Sequence, residues 1–331
     1  MPAKPSVYVT RRLPGEAYAR LADRVRLAVW DGPGGPPRTA LEEGVRDADG
    51  LLCLLVDRVD AALLAAAPRL RVVSSCSVGL DHVDVPAATA RGIPVGHTPG
   101  VLTETTADLT LGLMLAAARR IPEADRFVRE GRWVAERRWE PEMLLGRDLH
   151  GATVGLVGLG AIGQAVARRL AGFGCRILGW TRSGRLVPGV EPAPLDALLA
   201  ESDFVSLHVA LAPETRGLLG AERLAAMKPG AILVNAARGG LVDEAALAER
   251  LASGALAAAG LDVFAEEPVD AGSPLLALEN VVVAPHVGSA SVRTRERMGD
   301  LAVANLLAGL EGRPLPACAN PEVESGRVSP A

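Results

Sequence analysis

One stretch of the chain, TVGLVGLGAIGQAVARRLAGFG from Thr153 to Gly174, leaves few folds open. Val154, Leu156 and Val157 form a short apolar run that suits a buried parallel strand. Gly158, Gly160 and Gly163 follow as G-x-G-x-x-G, and Ala165, Val166, Arg169 and Leu170 then recur at helical spacing. A dinucleotide pyrophosphate needs this order of parts. The first glycine permits a tight turn, the second lets backbone approach the phosphate, and the third lets helix and strand pack closely. The helix N-terminus adds free N–H groups and the positive end of a dipole. Gly158, Gly160, Ala161, Ile162 and Gly163 are therefore expected to hold a dinucleotide.

The chain has 331 residues, more than one ordinary domain needs, so two are expected. Before the glycine motif, apolar runs and helical patterns alternate. Strands are expected at Ser6–Thr10, Leu27–Trp30, Gly50–Val56, Arg71–Ser74 and Ile93–Gly96. A long, almost wholly apolar helix is expected over Thr103–Arg120. After the motif, further βα units run to a last strand at Val281–Ala284. A final helix, Ser291–Leu310, would return the chain to the first unit. The fold class is thus α/β, with two Rossmann-like or flavodoxin-like parallel-sheet domains and one inserted in the other. Residues 1–98 and 289–331 are assigned to a discontinuous substrate domain, and residues 99–288 to the dinucleotide-binding domain.

Composition excludes several alternatives. A net charge of −4 with both signs interspersed lacks the basic face of a nucleic-acid binder. No apolar run is long enough for a bilayer, and MPAKPSVYVT lacks a signal-peptide core, so a cytoplasmic protein is expected. Cys53, Cys76, Cys175 and Cys318 lie far apart without C-x-x-C and read as reduced thiols; no metal site is expected. Two of the four tryptophans, Trp133 and Trp139, fall in one charged segment, Arg132–Arg147, which is expected to reach across a subunit interface.

Three residues at the ends of expected strands form a set that chemistry recognises. Arg238 follows AILVN, Glu267 follows LDVF, and His286 follows VVVAP. Open α/β sheets put ligands at such strand ends. Reducing a 2-keto acid with a nicotinamide requires a cation for the substrate carboxylate, an acid for the carbonyl oxygen, and a partner that keeps the acid charged. Arg238, His286 and Glu267 supply these in turn.

Five segments, SVGLDHVD, GLGAIGQAVARRL, NAARGGLVDEAAL, GLDVFAEEP and APHVGSAS, resemble the D-isomer-specific 2-hydroxyacid dehydrogenases in content and order. The likeness spans about residues 5–323 and is nearest to the glyoxylate reductase/hydroxypyruvate reductase branch. It implies that His286 is the acid/base, that Glu267 is its partner, and that Arg238 binds and polarises the 2-oxo acid. It also implies that the N–H groups of Val78 and Gly79 hold the carboxylate, that Ser289 contacts substrate, and that Leu54 and Leu55 wall the pocket. Asp262 would meet the nicotinamide carboxamide and Thr106 the phosphate or nicotinamide side. Ala210, Ala236 and Gly288 would line the cofactor, and a homodimer is expected. Other acids of the family remain open, among them D-lactate, phenylpyruvate and D-3-phosphoglycerate. So does a nucleotide-sensing, corepressor-like role without turnover.

The cofactor can be read from the second strand of the motif. Enzymes that use NAD carry an acid there, about twenty residues beyond the glycines, for the ribose hydroxyls. Here the strand RILGW ends in Thr181, Arg182 and Ser183, with no Asp or Glu. Arg182, flanked by two hydroxyls, suits a 2′-phosphate through charge-assisted hydrogen bonds. NADPH (NADP) is the expected cofactor, with NADH possible.

Overall fold

A computed structural model describes residues 3–325. The chain forms two compact units, one holding it up to Leu102 and again from Ser289, the other holding Thr103–Gly288.

The first unit has five parallel strands: β1 (Ser6–Val9), β2 (Arg26–Val29), β3 (Gly50–Cys53), β4 (Val72–Ser75) and β5 (Val95–Gly96). Their order is β2-β1-β3-β4-β5. β3 and β4 are buried along their whole length, which is why both read as continuous apolar or small runs. One face packs Leu41, Val45, Leu63 and Leu64 from the helices Arg38–Val45 and Ala61–Ala65. The other face receives Met298, Ala302, Val303 and Leu306 of the helix Val292–Leu310, against Val7, Val9, Leu52 and Val72. Each large apolar side chain buried there contributes roughly 2 kcal/mol. The helix Val292–Leu310 is thus a structural part of the first sheet, although the whole second unit separates it in sequence from β5.

The second unit has seven parallel strands: β6 (Thr153–Val157), β7 (Arg176–Trp180), β8 (Glu191–Pro192), β9 (Phe204–Leu207), β10 (Ile232–Asn235), β11 (Ala258–Leu261) and β12 (Val281–Val283). Their order is β12-β11-β10-β9-β6-β7-β8. The order reverses between β6 and β9, which pair in parallel from Val154 opposite Phe204. A ligand crevice lies outside the carboxyl ends of the strands at such a reversal, and the glycine motif leaves β6 at that point. One face is covered by the helices Thr103–Ala118 and Ala161–Leu170. The other is covered by Leu195–Glu201, Ala221–Ala226 and Glu244–Ala252.

The α/β class and both parallel sheets agree with the sequence reading. Several details differ. The expected strand Ile93–Gly96 is shorter, Val95–Gly96. Three others have a clear cause. The apolar run Gly50–Val56 is a strand only to Cys53, because the Asp57 carboxylate takes the Leu54 amide (2.7 Å) and the Asp57 amide turns back to the Leu54 carbonyl. Val56, 61% exposed, belongs to that turn. The helix Val85–Ala90 was not expected; Asp84 caps it by accepting from the Ala87 amide, and Pro86 sits in its first turn. The two-residue strand β8 was also missed, since Glu191–Pro192 carries no strand signal.

All four cysteines are free thiols, Cys53 and Cys76 buried and the others half-buried. Burial pushes the Cys76 thiol up to about 11, far from reactive thiolate. Among the described residues, no helix is long and apolar enough to cross a membrane.

Candidate active site

The glycine turn after β6 has the shape its sequence promised. Gly158 lies at φ +106°, in the left-handed region, and a Cβ there would come within 2.7 Å of the His208 carbonyl. A Cβ on Gly163 would lie 2.1 Å from the Gly158 carbonyl oxygen, so the third glycine lets the helix Ala161–Leu170 sit on the turn. Gly160 is the residue before that helix, and a Cβ built on it meets nothing within 4 Å. No side chain caps the helix, so the first-turn amides of Ala161, Ile162 and Gly163 are open to an anion. These features fit a dinucleotide pyrophosphate. Behind the turn, burial holds the His208 imidazole down at about 4, so it is neutral; its Nε2 pairs with the Ser206 hydroxyl at 2.9 Å.

Beyond β7, Thr181 is half-buried while Arg182 and Ser183 are exposed. The Thr181 hydroxyl accepts the Arg185 amide at 2.9 Å, curling the loop into a shallow pocket closed by Pro192–Pro194. The structure adds a neighbour the sequence did not disclose. Glu214, from the loop after β9, lies 3.9 Å from the Arg182 guanidinium; both side chains are largely exposed, and the contact is weak. Ala210 is exposed just past β9, and Ala236 is half-buried just past β10.

Arg238, Glu267 and His286 come from three successive strand ends, β10, β11 and β12, and the second unit alone brings their loops together. The Asn235 side chain folds the Arg238 turn, donating to the Arg238 carbonyl (2.9 Å) and accepting from the Ala237 amide (3.0 Å). A Cβ on Gly239 would fall 1.8 Å from the Phe264 carbonyl carbon, so the Arg238 turn lies directly on the backbone that leads to Glu267. Glu267 Oε1 accepts the Phe264 amide at 3.0 Å, and Glu267 Oε2 meets His286 Nδ1 at 2.6 Å. Burial by itself would raise the Glu267 carboxyl. The His286 hydrogen bond, the Phe264 amide and the positive charges of His286 and Arg238 outweigh it and hold the carboxyl below its ordinary value. With Nδ1 engaged, Nε2 is the His286 atom left for proton transfer.

His286 itself sits at φ +53°, a strained position for a non-glycine residue. Asp262 holds it there. The Asp262 carbonyl accepts the His286 amide (2.8 Å), and its two carboxylate oxygens accept the amides of Val287 (2.7 Å) and Gly288 (2.8 Å). Burial raises the Asp262 carboxyl, with those amides and the charge of His286 pulling the other way. Thr106 is also buried and donates its hydroxyl to the Gly288 carbonyl at 3.0 Å. Asp262 and Thr106, read from sequence as cofactor contacts, are in the structure the clamps of the His286–Gly288 loop.

In the first unit, Leu54 follows β3 at the point where the strand order reverses between β1 and β3. Its amide is fixed by Asp57, whose buried carboxylate also accepts the Thr10 hydroxyl at 2.5 Å. Val78 and Gly79 form a half-buried turn just beyond β4. Ser289 is half-buried, two residues before the helix cap Ser291. The Asp57 clamp was missed; its signal is an acid three residues after the amide it holds, the spacing at which a carboxylate reaches back in a capping box.

Comparison with known proteins now decides the family. The family model described as D-isomer specific 2-hydroxyacid dehydrogenase, NAD binding domain, matches residues 111–288. A glyoxylate reductase of Korarchaeum cryptofilum is 50% identical over 324 residues, covering 97% of each chain. The chain belongs to the D-isomer specific 2-hydroxyacid dehydrogenase family. It is a nicotinamide-dependent oxidoreductase. A glyoxylate reductase of Thermofilum pendens is 47% identical over 97% of this dehydrogenase and 96% of its own length. Among solved structures, the TT0316 protein of Thermus thermophilus matches with a TM-score of 0.90 at 52% identity, covering 95% of this chain and 99% of that one. An NADPH-dependent glyoxylate/hydroxypyruvate reductase of Sinorhizobium meliloti, solved with NADP and malonate, matches with a TM-score of 0.84 at 36% identity, covering 96% and 97%.

Proposed function

We propose that this dehydrogenase uses NADPH to reduce small 2-oxo acids, glyoxylate and hydroxypyruvate, to the 2-hydroxy acids glycolate, which is achiral, and D-glycerate. The observation that carries the reading is the His286–Glu267 pair at 2.6 Å, beside a turn that presents Arg238. When bound, the reduced nicotinamide supplies hydride to C2 of the acid. His286 gives the Nε2 proton to the carbonyl oxygen, and Glu267 balances the charge of the imidazolium and fixes its ring. Arg238 binds the acid and polarises its carbonyl. The amides of Val78 and Gly79 hold the carboxylate, with Ser289 and Leu54 as further substrate contacts.

The cofactor would lie along Gly158–Gly163, with Thr181, Arg182 and Ser183 at the 2′-phosphate. Ala210, Ala236, Gly288, Thr106 and Asp262 would stand at its remaining length, Asp262 through lone pairs that Val287 and Gly288 leave. Residues 1–98 with 289–331 serve as the substrate domain, and residues 99–288 as the cofactor domain. The names of the relatives support the substrate class; the absence of an acid at Thr181–Ser183 supports NADPH. We assign the enzyme to the cytoplasm and take the working form to be a homodimer. Trp139, 80% exposed, and Trp133, 55% exposed, support that form, since exposed tryptophan marks interfaces. Sedimentation as a monomer at micromolar concentration would refute the dimer.

The deciding assay follows loss of NADPH or NADH absorbance with glyoxylate, hydroxypyruvate, pyruvate and phenylpyruvate. Fast NADPH oxidation with the first two is expected. Faster turnover with NADH, or with phenylpyruvate, would overturn the corresponding half of the proposal.

A further inference from the structure

The turn Ser77–Leu80 is tied down through its carbonyls. Three successive carbonyls are each taken by a donor of the first unit. The Ser77 carbonyl accepts the Thr98 amide at 2.8 Å. The Val78 carbonyl pairs with His97 Nδ1 at 3.2 Å, and the Gly79 carbonyl accepts the Ser77 hydroxyl at 2.8 Å. A trans peptide points its N–H opposite to its C=O. Fixing these three carbonyls therefore turns the amides of Val78, Gly79 and Leu80 away from His97, Thr98 and the Ser77 side chain. None of those amides donates a backbone hydrogen bond among the described residues.

The hydroxyl that fixes Gly79 is itself directed. Ser77 Oγ lies 2.7 Å from Ser75 Oγ, which lies 2.9 Å from His82 Nε2. A serine has one proton to donate. Ser77 gives its proton to the Gly79 carbonyl, so it accepts from Ser75. Ser75, having given its proton, accepts from His82 Nε2. The donors thus run in one direction, from His82 through Ser75 and Ser77 to the Gly79 carbonyl. Ser75 and Ser77 are buried, so water does not compete for these hydroxyls.

We infer that Ser77 and His97, backed by Ser75 and His82, are positioning residues that aim the Val78–Leu80 amides at the substrate carboxylate. This rests on the proposed reading of Val78 and Gly79 as carboxylate-holding. Without the Ser77 hydroxyl the Gly79 carbonyl loses its partner, and the peptide after it is free to rotate its N–H out of line.

The test is steady-state kinetics at saturating NADPH with glyoxylate, beside inhibition by oxamate, a non-reducible 2-oxo acid analogue. Ser77→Ala should raise the glyoxylate KM and the oxamate inhibition constant together by about tenfold, the factor that one net hydrogen bond is worth. The KM for NADPH and the limiting kcat should stay near wild type. Ser77→Thr, which keeps the hydroxyl, should restore both constants. His97→Phe removes the donor that reaches the turn from just beyond β5, should give the same split, and decides the matter if Ser77→Ala does not fold. Unchanged substrate constants in the folded variants, or an equal rise for NADPH, would overturn the inference. A wild-type enzyme that reduces none of the 2-oxo acids would sink the functional proposal instead. Calorimetric binding of oxamate to wild type and variants would then decide the positioning role by itself.

Discussion

On the proposed reading two turns in this molecule offer backbone N–H groups to an anion, and they are built differently. In the second unit, Gly158–Gly163 uses the end of a helix. Open amides come from helix geometry, and glycines clear the way, with a Gly163 Cβ forbidden 2.1 Å from a carbonyl oxygen. In the first unit, the Ser77–Leu80 turn precedes no helix at its amides. Its carbonyls are tied by Thr98, His97 and Ser77, and the N–H direction follows from the peptide plane. The first device is local and writes itself as a glycine spacing. The second depends in part on His97 and Thr98, some twenty residues away, and so is only partly written in a local pattern. The two devices are therefore expected to fail independently, and that independence can be tested.

The largest effect is expected where the chemistry sits. His286→Ala should lower kcat by about 10²–10⁴-fold, the range for a lost general acid. It should leave the KM for NADPH near wild type, because the glycine turn follows β6, which three strands separate from β12 in the sheet. Rapid-quench or steady-state assays read this directly, and near-normal turnover would remove His286 from the mechanism.

Gly163→Ala comes next and strikes the helix-built device alone. Its Cβ must displace backbone, a cost of about 1–3 kcal/mol for overpacking, so the NADPH KM should rise by roughly tenfold to a hundredfold. The glyoxylate KM at saturating NADPH should move much less. Parallel rises in both constants would show that the two turns are coupled and break the comparison.

Arg182→Ala should have a smaller effect, confined to cofactor choice. The loss of a charge-assisted contact predicts a fall of about tenfold or more in the NADPH-over-NADH ratio of kcat/KM. Glu214 sharpens this. Its carboxylate lies 3.9 Å from the Arg182 guanidinium and would repel a 2′-phosphate held there, so Glu214→Gln should raise the same ratio slightly. A ratio indifferent to Arg182 would remove the 2′-phosphate assignment.

The split between local and non-local features also explains what the sequence disclosed. Alternating apolar and helical runs were enough for two parallel sheets, and the candidate set Arg238, Glu267 and His286 was visible because each follows a strand. The order of strands was not visible, since nothing in RILGW or AILVN says which neighbour it pairs with. The end of β3, expected at Val56, falls at Cys53 because an apolar run continues into a turn that only the Asp57 side chain enforces. Asp262 and Thr106 were assigned by likeness to the cofactor. Their hold on the His286–Gly288 loop spans up to 182 residues of chain, and no local pattern encodes it.

The smallest effect concerns Glu267 and acid. Its folded-state carboxyl lies below the ordinary value of 4.5, so the folded protein releases this proton more readily than the unfolded chain. Stability from this group is therefore fully present above pH 4.5, where both states are ionised, and is lost as pH falls through the lower folded value. Glu267→Gln removes that titration. Thermal denaturation from neutral pH into acid should show wild type losing stability more steeply than the variant, with the difference confined to the acid side of the unfolded carboxyl. A difference that instead opened near the ordinary histidine value, about pH 6.5, would assign the pH dependence to a histidine. It would also remove the claim that the His286 hydrogen bond and the Phe264 amide outweigh the burial of this carboxylate.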